Sequence, residues 1–199
     1  MKPQTLLEYC QDIEINLEGR DIFLFHPEIL DRLKLVINQA LIKHSRISFF
    51  EVNLHFPPNC KVPSDNRYII EFMERYIEKF EQQNLSPHYL WVRERKKGKN
   101  QHYHVVIMLD AHEITFNYEH ITLAEDLWQE LLNEGGYQFE SDKWREYYFA
   151  KYFSLMVYRN SEETLGNALY WGSHLAKVRT KEKGLKYPKM GSTKLYTDY

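Results

Sequence analysis

Apolar positions recur along this chain at two spacings, every three to four residues in some stretches and every second residue in others. Over 26–45 (HPEILDRLKLVINQALIKHS), Ile29, Leu33, Val36, Ile37 and Ala40 fall on one side of a helical wheel and predict a helix. The next run, RISFFEVNLHF at 46–56, is β-branched and aromatic and stops at Pro57 and Pro58, which predicts a strand. Ser64 can cap a helix over 65–83, with Ile69, Phe72, Met73, Tyr76, Ile77 and Phe80 as its apolar stripe. Two apolar runs within 88–109, separated by a turn that contains Gly98, predict a β-hairpin. Thr122 and Glu125 have capping-box spacing at the head of LAEDLWQELLNEGG, and Gly135–Gly136 end that helix. A strand at 152–160 (YFSLMVYRN) and a Ser161-capped helix at 161–178 follow, and the tail after Gly184 reads as irregular.

Residues 46–178 therefore read strand, helix, strand, strand, helix, strand, helix. The first six elements are the βαββαβ order of an α+β, ferredoxin-like antiparallel sheet, here with an added N-terminal helix and a C-terminal helix that bears Tyr170. In that topology the third strand lies inside the sheet beside the first. A length of 199 residues suits one domain spanning 1–199, with its core at about 46–178 and a basic tail at 179–199.

The third strand opens NQHYHVVIMLD, and alternation puts His102 and His104 on one of its faces. Across the hairpin, Glu94 shares a face with His88, Leu90 and Val92, and a short turn can bring it opposite the two histidines. Two imidazoles and a carboxylate make a three-ligand set with open positions, suited to Mn²⁺ or Mg²⁺ where the substrate is a phosphate and to Zn²⁺ by affinity alone. The spacing equally allows Glu94 to pair with the lysines of the turn.

Charge sharpens the picture. The chain carries a net charge of −2, yet residues 93–99 and 177–194 together hold 12 of its 26 basic residues and 2 of its 28 acidic ones. Such segregation suits a groove for a polyanion. Arg93, Arg95, Lys96, Lys97 and Lys99 surround the metal-ligand set, and Arg179 and Lys181 lie in the second cluster; all seven are candidate DNA contacts. A cation beside a basic loop points to phosphodiester chemistry, with the metal as Lewis acid. Cys10 and Cys60 match no ligand or disulfide spacing, and neither a signal peptide nor a membrane span is visible, so a cytoplasmic location is expected. No Gly-rich phosphate loop marks an attached helicase or a small-molecule cofactor.

On the last helix, Tyr170, His174 and Lys177 follow at i, i+4 and i+7. A tyrosine oxygen can attack a phosphate once it loses its proton, and a nearby cation assists. With FFEVNLHFP, YLWVRE followed by HYHVVIML, and SHLAKVRTK followed by KMGSTK, the chain resembles the HUH endonuclease superfamily over roughly residues 20–195. More narrowly, it is similar to the replication initiators of filamentous phages (inoviruses) and their prophage relatives. The resemblance implies metal-dependent nicking and joining of single-stranded origin DNA through a phosphotyrosine, initiating rolling-circle replication of a phage, prophage or plasmid, with host replication proteins as partners. It implies His102, His104 and Glu94 as metal ligands and Lys177 as the lysine that follows the nucleophile. Where the family pattern has Tyr-x-x-Lys, this chain has His174-Leu175-Ala176-Lys177. Tyr170, one turn earlier, is the candidate nucleophile, and Tyr148, in Tyr148-Phe149-Ala150-Lys151, is the second.

Two other readings stay open. One is a nucleophile-deficient HUH fold that binds DNA as a regulator. The other is a metal-free RNA-recognition-type module, which needs Phe49, Phe50, Tyr89, Trp91 or Tyr103 exposed on the sheet for base stacking.

Overall fold

The β-branched and aromatic runs become strands and the helical stripes become the layers over them, in a computed structural model that describes residues 26–95, 100–114, 117–137, 153–177 and 186–195. Among these residues the strands are β1 (Arg46–His55), β2 (His88–Arg95), β3 (Gln101–Asp110), β4 (Phe153–Tyr158) and β5 (Met190–Ser192). The helices are α1 (Pro27–Lys43), α2 (Arg67–Gln82), α3 (Tyr118–Glu134) and α4 (Glu162–Gly172). The fold is α+β, with one antiparallel sheet in the order β4-β1-β3-β2-β5. As the element order predicts, β3 lies inside the sheet, between β1 and β2.

Alternation gives the sheet two faces, and each has its own core. On one, Phe50, Leu54, Tyr103, Val105 and Ile107 pack against Phe72, Tyr76 and Phe80 of α2 and Ala124 and Trp128 of α3. On the other, Phe49, Leu90, Val92, Val106 and Met108 pack against Leu33, Val36 and Ile37 of α1 and Leu169 of α4. Helices thus cover both faces. Phe49, Phe50, Trp91 and Tyr103 are buried and Tyr89 is partly buried against the core, so the open aromatic platform of an RNA-recognition module is absent among the described residues.

Three boundaries differ from the sequence reading. The cap of α3 is Asn117, so Thr122 and Glu125 lie inside the helix and form no capping box. Asn66, not Ser64, stands at the N-cap of α2, and the Ser64 carbonyl instead accepts from Arg93 Nη1 at 2.6 Å. The last helix is capped by Ser161, whose Oγ accepts from Thr164 N–H, but it stops at Gly172 and tightens into a 3-10 turn, Ser173–Ala176. At that point α4 lies close against α1: a Cβ on Gly172 would sit 2.5 Å from Leu33 Cδ2. His26 N–H, at the start of α1, donates to the Ala176 carbonyl at 2.8 Å and ties the turn down.

The basic tail contains a strand that the sequence pattern does not predict. β5 pairs with β2, and the Lys189 carbonyl accepts from Arg93 N–H at 2.8 Å. Gly191 lies flat on the Trp91 indole, where a Cβ would come within 2.6 Å of ring atoms. A rigid buried ring cannot retreat, so Gly191→Val is expected to undock β5 and cost about 1–3 kcal/mol. Hydrogen exchange reads this directly: the Arg93 amide should exchange faster while the β1–β3 amides hold, and unchanged Arg93 protection would contradict the argument. No helix among the described residues is long and apolar enough to cross a membrane.

Candidate metal centre

Register decides which polar residues meet. Glu94 on β2 stands directly opposite His102 on β3, and Val92 opposite His104. On the other side of β3, Asn53 faces His104 and His55 faces His102. Alternation along β1 adds Glu51 to the same face. The apolar half of this face ends at Val92 and Val106, and the polar half begins there with two carboxylates and three histidines. A fourth, His174, comes from the 3-10 turn.

Glu94, His102 and His104 each offer a ligand atom, all within 4.8 Å of one another. Glu94 Oε2 lies 3.6 Å from His102 Nε2 and 3.5 Å from His104 Nε2. Those separations are long for hydrogen bonds. They match two donors around one ion, because atoms each about 2.1 Å from a tetrahedral metal stand about 3.4 Å apart. Glu94 is buried, and the two imidazoles are partly buried.

Glu51, His104 and His174 form a second group with ligand atoms within 4.8 Å. Here the contacts are closer. His104 Nδ1 donates to Glu51 Oε1 at 2.7 Å, and His174 Nε2 lies 3.3 Å from the same oxygen. His174 Nδ1 donates to the Trp171 carbonyl at 2.5 Å. Burial works to push the Glu51 carboxyl up, but the charge of His174 and the hydrogen bonds from His104 and His174 outweigh it and hold it down at about 2. Burial would likewise lower His104, and its hydrogen bond to Glu51, with the Glu94 and Glu51 carboxylates beside it, raises it to about 9. Around this cluster the His55 and His102 rings stack, with centroids 4.7 Å apart.

The donor chemistry fits a divalent ion of the Zn²⁺ or Mn²⁺ kind, through imidazole and carboxylate. One further atom points the same way. The carboxamide oxygen of Asn53, on the cluster's face, is buried and makes no hydrogen bond to the described residues. An unsatisfied buried acceptor costs about 1–3 kcal/mol, which a group bound in the cluster would offset.

The structure thus brings Glu94, His102 and His104 together as the spacing anticipates, and adds Glu51 and His174. Tyr170 is partly buried, and among the described residues its ring lies near that of Trp171, with centroids 6.0 Å apart. The α-helix that carries Tyr170 ends at Gly172, and His174 belongs to the 3-10 turn that follows it. Lys177 is buried beside the turn. Arg93 differs from its expected place: it is buried, and its Nη1 donates to the Ser64 carbonyl and to Asn66 Oδ1 at 3.1 Å. It anchors the loop before α2, on the face opposite Glu94, and offers no surface contact to DNA. Arg95 ends β2 and is partly buried. Lys96, Lys97, Lys99, Tyr148, Arg179 and Lys181 lie outside the described residues.

Residues 24–193 match the family model of the YagK/YfjJ C-terminal domain, and the chain belongs to that family. No curated protein and no solved structure matches it.

Proposed function

We propose that this YagK/YfjJ C-terminal domain is a metal-dependent DNA-processing domain of the HUH type, which nicks and rejoins single-stranded DNA. The carrying observation is the Glu94–His102–His104 group at the centre of the sheet, with its carboxylate 3.5 and 3.6 Å from the two imidazoles. The strand order, with β3 between β1 and β2, agrees with a ferredoxin-like sheet of the kind HUH endonucleases use. A bound Mn²⁺, Mg²⁺ or Zn²⁺ would supply Lewis-acid polarisation of the scissile phosphate. Glu94, His102 and His104 would hold the ion. Lys177, three residues after His174, is the basic residue proposed to act with the nucleophile, and Arg95 with the basic residues Lys96, Lys97, Lys99, Arg179 and Lys181 would hold the DNA backbone. Tyr170 is the proposed nucleophile: its phenolic oxygen bonds to phosphorus, the P–O3′ bond breaks, and the leaving strand keeps a free 3′-hydroxyl.

A second reading has a specific observation behind it. His174, which stands where the resemblance puts the tyrosine, packs its ring 5.3 Å from that of His104. A domain of this fold without a nucleophile would bind DNA without cutting it.

One experiment separates the two. Circular single-stranded DNA from the replicon that carries the gene is incubated with the protein and Mn²⁺, then run on a denaturing gel. Nicking predicts a covalent protein–DNA adduct, absent from Tyr170→Phe and from His102→Ala. An adduct that survives Tyr170→Phe overturns that residue's role. DNA binding that weakens steeply with salt, with no adduct in any divalent ion, selects the binding domain.

A further inference from the structure

The two ligand groups share one residue, and they use its opposite nitrogens. His104 turns Nε2 towards Glu94, which also faces His102, and Nδ1 towards Glu51, which also meets His174. A neutral imidazole has a single lone pair, so one nitrogen binds an ion while the other carries a hydrogen. The distances choose between them. On the Nε2 side the 3.5 Å separation from Glu94 suits two atoms that bind one ion together. On the Nδ1 side the 2.7 Å contact with Glu51 is a closed hydrogen bond.

We propose that Glu51 and His174 are positioning residues of the metal centre and not a second metal site: Glu51 holds His104 in the tautomer that turns its Nε2 lone pair to the ion, and His174 holds Glu51. Metal-binding histidines commonly donate their free N–H to a carboxylate, which fixes the ring and raises its basicity. Glu51 does this from a neighbouring strand, one pleat along from Asn53, so its carboxylate is fixed by the sheet itself. His174 is fixed in turn by its bond to the Trp171 carbonyl. The chain of contacts runs from the end of α4, through Glu51 and His104, to the ion. An element placed by the packing of α4 on α1 thereby sets the geometry of a ligand on β3.

This inference rests on the metal centre proposed above, but not on DNA cleavage. Its test is calorimetric titration of the full chain with Mn²⁺ and with Zn²⁺. The wild type should bind one ion per chain. Glu51→Gln should keep that stoichiometry and lose roughly 10–100-fold in affinity. Glu51→Asp, which keeps the charge, should recover part of the loss. His174→Gln, at a partly exposed position, should lose less than Glu51→Gln. Two ions per chain, falling to one in Glu51→Gln or His174→Gln, would make the second group a metal site and overturn the proposal. Wild-type affinity in Glu51→Gln would overturn it as well. Failure of the metal centre itself looks different, because the wild type would then bind no ion, and both inferences would fall. Nitrogen NMR of the ion-loaded protein gives a readout that folding differences do not mimic: His104 should carry its proton on Nδ1, and ligation through Nδ1 refutes the assignment.

Discussion

Glu94→Gln is expected to lower divalent-ion affinity at least about 100-fold, with His102→Ala and His104→Ala close behind. Glutamine keeps the shape of a side chain that is almost wholly buried, so the fold survives while the charge is lost. The expectation follows from the donor set: with Glu94 gone, two neutral imidazoles remain, and hard ions such as Mn²⁺ favour oxygen donors. Thermal unfolding gives a second measure. An ion at about 100 times its dissociation constant stabilises by about 2.7 kcal/mol, worth roughly 5–10 °C for a chain of this size. The wild type should show that shift on adding Mn²⁺, and Glu94→Gln should not. The pH dependence has a definite sign. Without an ion, His104 keeps its proton until about pH 9. The metal must displace that proton, so affinity should rise about tenfold for each pH unit up to that point and flatten above it. An affinity that stayed level between pH 6 and 8 would mean that ion binding displaces no proton from His104 in that range.

Alternation accounts for most of what is legible in the chain, and also for one misreading. The pairing of His102 with Glu94 follows from two strands, a short turn and a period of two. The same period puts Glu51, Asn53 and His55 on one face of β1, and that run of polar residues in an apolar strand is the available signal for Glu51. Reading the first strand for its apolar content alone passes over it. The period also sends Arg93 to the face opposite Glu94. Counting it among the basic residues around the ligands treats charge as a property of a segment, when a strand divides its charges between two faces. His174 is harder to place. Its approach to Glu51 depends on α4 tightening into a 3-10 turn where Gly172 meets Leu33, and that contact between distant helices leaves no local pattern. The strand β5 has three residues, too short for any period to show; it exists because β2 offers an edge.

Among core residues, Trp128 is expected to matter most, and the expected loss on Trp128→Ala is about 3–5 kcal/mol. Its side chain is fully buried among Phe56, Phe72 and Tyr103, whose rings lie edge-on to it with centroids 5.3, 5.7 and 6.2 Å away. Removing the indole leaves a cavity that neighbours on α2, on β3 and just after β1 cannot jointly fill. The indole also makes a polar contact, in which Nε1 donates to the His55 carbonyl at 2.7 Å and joins α3 to the end of β1. Trp128→Phe separates the two contributions, because it keeps much of the ring volume and loses the donor. It should cost about 0.5–1.5 kcal/mol, mainly for the lost hydrogen bond to the His55 carbonyl. In urea both variants should lower the unfolding midpoint and leave the slope unchanged, as expected when the native surface is unaltered. The candidate ligands Glu94, His102 and His104 lie on the other face of the sheet, held by the register of β1, β2 and β3. Folded Trp128→Phe should therefore bind its ion with wild-type stoichiometry, and a lost ion would mean that the end of β1, where His55 stacks on His102, needs α3 to hold its register.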